Sequence, residues 1–291
     1  MRVSRVRAVL MAALLAGCAA SPSTESDPAA APSIDDEVPD RARVGPQGRV
    51  AQFVVSCEVS HISSDDPIVL PDQPGVSHEH QFFGNVVTDD AADYERALDA
   101  GTSCDQRLDT ASYWAPTMFD ADGTRIDALG LTAYYRPGDG VDPRDVVAYP
   151  PGFMVIAGSS AADEPDGQDV IAWGCGSGAR REDLPPACAE NSTLRLWITF
   201  PDCWDESRLS SFGSGAHVRY SNRGCPPTHR TPVPQLQMAI DYPPVDPDGL
   251  RLSSGPISSA HADFWNTWDQ DKLEREVELC INRDLVCGLS G

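Results

Sequence analysis

Beyond residue 50 the chain is dominated by short runs in which apolar and polar positions alternate, and this pattern predicts strands far more often than helices. The clearest run is Thr193–Phe200, with Leu194, Leu196, Ile198 and Phe200 on one side of a pleat. Val50–Glu58, Leu129–Arg136, Phe153–Ala157, Val170–Cys175, His217–Tyr220 and Gln235–Tyr242 read as further strands, and Val146–Tyr149 as an apolar approach to a Pro/Gly turn. Ala111–Phe119 is a strand interrupted by Pro116, which predicts an edge or a bulge because proline donates no ladder hydrogen bond. Asp122 and Gly123 mark a hairpin turn. A period of 3.6 occurs twice. It covers Ala91–Ala100, with Asp89 or Asp90 as cap, and Asp271–Cys280, with Leu273, Val277 and Cys280 on one face. About ten short strands between Pro/Gly loops, with two short helices, predict an all-β fold: a β-sandwich or jelly roll forming one domain over residues 49–291.

The first 48 residues depart from this pattern. Arg2, Arg5 and Arg7 precede an apolar stretch, Ala8–Ala16, too short to span a bilayer. Residues 1–17 read as a lipoprotein signal peptide: Leu15, Ala16, Gly17 and Cys18 resemble a bacterial lipobox, which implies cleavage before Cys18 and a lipid on its sulfur. An ordinary signal peptide cut at the following Ala-Ala-Ser is the alternative. Residues 18–48, rich in Ala, Pro, Ser and Asp, lack the apolar groups needed to offset chain entropy and read as a disordered tether. Localisation is therefore expected at the outer face of the cell membrane, or free outside the cell.

Charge and cysteine content narrow the partners. With 22 basic and 44 acidic residues the net charge is −22, which argues against nucleic acid and against docking on anionic lipid. Besides Cys18, eight cysteines remain, an even number that predicts four disulfides in an exported domain. Short spacing pairs Cys175 with Cys188 and Cys203 with Cys225; elimination leaves Cys57 with Cys104 and Cys280 with Cys287. No C-x-x-C spacing suggests a thiolate zinc site.

The chemistry concentrates in a few short segments. His78 and His80 stand two residues apart, so on a strand both imidazoles project from one face. His261 and Asp263 repeat the spacing. Together these four form a candidate site for a divalent transition metal, zinc or copper. Asp205 and His217 are further candidate catalytic groups, and the same imidazoles could serve as general bases oriented by carboxylates. Trp114, Trp204 and Trp265 adjoin these motifs and are candidate sugar platforms, although tryptophans in a β domain are more often core. A buried polar network that merely ties loops together is the bland reading of the same residues. The chain has no Gly-x-Ser-x-Gly elbow and no His-Glu-x-x-His motif.

Taken in order, Ser77, His78 and His80; Tyr113, Trp114 and Pro116; Phe200, Pro201, Cys203, Trp204 and Asp205; Cys225 and Pro226; His261, Asp263 and Phe264; and Leu273 with Cys280 resemble the family called domain of unknown function nineteen ninety-six. The resemblance covers roughly residues 50–280. It implies an exported protein of a kind found in fungi and actinobacteria, some of which carry carbohydrate-binding modules, and it brings no reaction. Glu206 and Ala262 stand where the pattern usually has glycine, and His229 falls outside it. The resulting expectation is a lipid-anchored protein with a His/Asp cleft that acts on or binds polysaccharide, with hydrolysis as the reaction class. The alternatives are a non-catalytic carbohydrate- or metal-binding lipoprotein and a purely structural module.

Overall fold

The computed structural model describes residues 51–89, 93–164, 170–178, 180–211 and 216–288. The leader, Cys18 and the tether expected over residues 1–48 lie outside them. Two sheets dominate the fold. The larger contains β1 (Gln52–Cys57), β7 (Gly130–Arg136), β9 (Ile171–Cys175), β10 (Leu194–Thr199), β14 (Gln235–Tyr242) and β18 (Val286–Cys287). Their order is β18-β1-β7-β14-β10-β9, antiparallel except for the parallel pair β1 and β18. The second contains β2 (Val59–Ser63), β3 (His80–Gly84), β4 (Ser112–Pro116), β8 (Met154–Gly158) and β17 (His261–Trp265), in the order β2-β3-β4-β17-β8 and wholly antiparallel. Two small sheets flank them. One joins β11 (Cys203–Trp204), β12 (Val218–Arg219) and β13 (Thr231–Pro232). The other joins β5 (Met118–Phe119), β6 (Arg125–Ile126), β15 (Arg251–Leu252) and β16 (Gly255–Pro256).

The core lies between the two large sheets, as a β-sandwich requires. Phe53, Val55, Leu131, Ala133, Tyr135, Leu196, Met238 and Ile240 from one sheet meet Phe83, Tyr113, Ala115, Val155 and Phe264 from the other in one buried cluster. Alternation places each residue: those in between, such as Phe82, Trp114 and Asp263, must face outward from the five-stranded sheet. A buried hydrogen bond between the Tyr113 and Tyr135 hydroxyls crosses the sandwich, and the Asp109 carboxylate accepts from Tyr113.

Four disulfides close the domain with the pairing expected from spacing: Cys57–Cys104, Cys175–Cys188, Cys203–Cys225 and Cys280–Cys287. Of the two helices, α1 (Tyr94–Leu98) is shorter than its periodicity suggests, and its cap is Asp93, whose carboxylate accepts from the Arg96 N–H at 2.7 Å. Asp89 instead binds the Arg96 guanidinium at 2.9 Å. The second helix, α2 (Gln270–Glu276), is capped by Asp269 and widens into a π turn at Val277–Ile281. One sequence expectation changes. β4 is an inner strand rather than an edge, which proline permits because Pro116 is its last residue. No helix among the described residues is long and apolar enough to cross a membrane.

Candidate functional site

The outer face of the five-stranded sheet assembles the site by register. One cross-strand row runs His61, Phe82, Trp114, Asp263, Ile156. In the next, His80 faces Pro116 and His261 faces Gly158. His80 and His261 thus stand on strands either side of β4, and Pro116 lies between them. His78 is not on the strand, which begins at His80; it arrives from the turn-rich segment Ser64–Glu79, with its ring centroid 4.2 Å from that of His80 and 5.0 Å from that of His261.

One ring nitrogen from each of His78, His80 and His261 lies within 4.8 Å of the others, and the Nε2 atoms of His78 and His261 are 3.2 Å apart. Backbone carbonyls fix two of the tautomers. His80 donates its Nδ1–H to Asp65 (3.1 Å), and His261 donates its Nδ1–H to Ser259 (2.8 Å). Both Nε2 atoms therefore carry a lone pair, and that of His80 is buried with no hydrogen-bond partner. A hydrogen bond from the other ring nitrogen to a carbonyl is what orients metal-ligating histidines. In the absence of metal, His78 donates from Nε2 to His261; shifting that proton to Nδ1 frees the third lone pair.

Electrostatics favour neutral rings. Burial, then the neighbouring His261, lowers the His78 pKa to about 4. Burial holds His80 well below the ordinary histidine value, with His78 and His261 adding to the effect against the Asp65 carbonyl. His261 is lowered by burial against the Ser259 carbonyl. Neutral imidazole is the form that binds metal.

A cavity of about 410 Å³ opens on this cluster, lined by His78, His261, Asp263, Asp66, Val69 and Ile156 among others. Asp263 is 1% exposed, and neither carboxylate oxygen has a hydrogen-bond partner. Burial, with Asp66 as a second cause, raises its pKa well above the usual carboxylate range. The expected four-ligand set is corrected here. Asp263 lines the cavity but stays outside the cluster of ligand atoms, because the side chain two residues along β17 sits a full row away over Trp114.

Gly158 holds the far side of His261. Its φ is +83°, and a Cβ there would lie 2.4 Å from the Ala260 oxygen and 2.8 Å from the His261 Cα. Gly158→Ala is expected to cost about 1–3 kcal/mol through backbone strain and to weaken metal binding by displacing His261. Chemical denaturation and metal titration of the variant measure both.

The remaining candidates lie elsewhere. Asp205 faces neither cavity: its carboxylate accepts from the Ser207 N–H and hydroxyl, both at 2.8 Å, and sits 3.8 Å from Arg208. Burial would raise its pKa, but those hydrogen bonds and the Arg208 charge prevail and lower it. His217 is 1% exposed and lines a second cavity of about 480 Å³ with Ile68, Met154, Pro201 and Tyr220 among others. Its Nδ1 is 2.6 Å from the Ser211 hydroxyl, which also accepts the His217 N–H at 3.2 Å; Nε2 has no hydrogen-bond partner. Burial, the largest cause, lowers its pKa to about 4 against the raising charge of Asp205.

The tryptophans require a correction as sugar platforms. Trp114 is 0% and Trp265 2% exposed, packed with Phe82, Ile68 and Ala97 beneath α1. Trp204 is partly buried against Phe153, its N–H donated to the Arg208 carbonyl at 2.7 Å. Sequence reading missed Asp66, Ile156 and Gly158. Asp66 reads as a turn residue, and it does accept the Ile68 and Val69 N–H groups; the other two carry no reactive group that a motif would mark.

The family model described as Domain of unknown function (DUF1996) matches residues 66–268, a span that contains all three histidines of the cluster, Asp263 and His217. Among curated proteins, the carbamoyl phosphate synthase small chain of Salmonella typhimurium is 27% identical over 159 residues, 53% of this chain. The match spans 38% of that protein's length, too partial a likeness to carry its activity across. No solved structure matches.

Proposed function

The chain belongs to the Domain of unknown function (DUF1996) family, and we propose that it is an exported, lipid-anchored metalloprotein that acts hydrolytically on polysaccharide. The observation that carries the reading is the clustering of three imidazoles, two with tautomers set by backbone carbonyls, of which His78 and His261 line a cavity. Three protein nitrogens with a fourth position left open suit catalytic Zn²⁺, which supplies a nucleophilic water at neutral pH when bound. The protein's own part is to hold the rings neutral and oriented and to place the unpartnered Asp263 carboxyl in the same cavity. Burial of Trp114 and Trp265 removes the aromatic argument for sugar binding, so support for polysaccharide rests on the polar groups lining the cavity and on the export that the leader leads one to expect.

A sugar-release screen against cell-wall and plant polysaccharides, run with zinc-loaded and metal-stripped protein, tests the proposal. Release that depends on zinc and is lost in His78→Ala is expected; no release from any polymer refutes the hydrolase reading. The anchor is tested separately. Cys18→Ser is expected to free the protein from the membrane fraction or leave it unprocessed, and recovery of unlipidated wild type from the medium alone counts against it.

A further inference from the structure

The metal cavity and the His217 cavity share Val69, Ile156 and Gly158 in their walls. They meet along β8, the edge strand of the five-stranded sheet. Met154 donates its N–H outward, to the Leu209 carbonyl at 2.8 Å, while β17 pairs along the other side. Alternation then turns Val155 and Ala157 toward β17 and presents the N–H and C=O of Ile156 to the open edge. Exposed aliphatic and aromatic groups gather at the same place. Val69, Val76, Ile156, Leu209 and Tyr220 are five of the nine large hydrophobic residues exposed among the described residues, and four of them line one or both cavities. Such clustering marks a binding surface rather than scattered surface apolarity.

The geometry points to one continuous groove along the free edge of β8, filled by an extended, uncharged glycan with the metal cavity at one end and His217 at the other. This rests on the polysaccharide reading above and specifies which polysaccharide fits. The apolar faces of sugar rings lie on Val69, Ile156 and Tyr220. Hydroxyl groups meet the Ile156 backbone and the His217 side chain in the wall of the second cavity. Anionic polymers are disfavoured by the net charge of −22. An added peptide strand is disfavoured because Ile156 alone presents both backbone groups at a full strand position: Met154 is already paired, and Gly158 leaves β geometry at φ +83°.

Calorimetric titration of the zinc-loaded chain tests this with neutral oligosaccharides from disaccharide to octasaccharide, drawn from β-1,3-glucan, β-1,4-glucan, xylan and mannan. Polygalacturonate oligomers and a valine-rich octapeptide serve as controls. Affinity for at least one neutral series is expected to rise with length and then level off. His217→Ala should weaken the long members about tenfold while leaving the disaccharide and zinc binding unchanged. Ile156→Lys, a change at an exposed position that the fold tolerates, should abolish long-oligomer binding while zinc binding persists. Zinc binding with no neutral oligomer bound, or with binding indifferent to length and to both substitutions, overturns the groove and leaves the metal centre standing. Length-dependent oligomer binding in a protein that takes no zinc upholds the groove and overturns the metal centre. Preference for the peptide or the uronate oligomers overturns the glycan assignment.

Discussion

Zinc added to metal-free protein is expected to raise its melting temperature by about 5–10 °C. A ligand at a hundred times its dissociation constant stabilises the native state by about 2.7 kcal/mol. A domain of this size gains roughly 2–4 °C per kcal/mol. The unfolded chain separates His261 from His78 by 183 residues, so the gain belongs almost wholly to the folded state. His78→Ala is the most informative variant: His78 is half-buried and bonds to nothing but the cluster, so the apo fold should survive its loss. Its zinc affinity should fall by more than the roughly 10–100-fold that loss of an outer-shell partner costs. His80→Ala should lose binding too, with a lower starting stability because it empties a fully buried position. A zinc-induced shift of the same size in wild type and His78→Ala would refute the three-histidine centre.

The buried histidines of the metal-free protein are expected to contribute less stability as pH falls from about 6.5 toward about 4, and His217 should account for a measurable share. The folded pKa values of His78 and His217 are lowered to about 4, and those of His80 and His261 are also lowered, chiefly by burial. Unfolded imidazoles, near 6.5, take up protons first, so the stabilising contribution is complete above that value and drains away below it. Asp263, Asp109 and Asp66 act in the opposite sense, because burial raises their folded pKa values. Their contribution is complete below about 3.8 and is lost as pH rises through the folded values. Comparing wild type with His217→Gln isolates one histidine. Across this window the wild type should lose more stability than the variant by on the order of 2 kcal/mol. His78 contributes less than its shift suggests, because solvent screens a partly exposed ring. Denaturation curves at pH 7 and pH 4.5 suffice, and equal losses in the two proteins would overturn the prediction.

Much of this protein is written locally. Thr193–Phe200 alternates cleanly because one side of β10 packs into the sandwich, so strand type and inward face follow from period alone. The Cys175–Cys188 and Cys203–Cys225 pairs follow from short spacing. The i, i+2 spacing marks His78 with His80, and His261 with Asp263, as candidate site residues before any fold is known. Strand order and outer cover were decided by the tertiary structure. Alternation puts Trp114, Trp265, His80 and His261 on one face, yet it cannot say that α1 lands on the tryptophans and leaves the histidines at a cavity. It places His78 and His80 together as if on one strand, whereas a loop and a strand end bring them there. Nor does it say that β17 lies beside β4, which brings His261 to His80 across Pro116 while Asp205, equally prominent as a motif residue, turns to Ser207. The physical reason is the range of the interactions. Side-chain direction along a strand is set by neighbouring residues, while the pairing of strands and the covering of their outer face are set by burial of surface between segments remote in sequence.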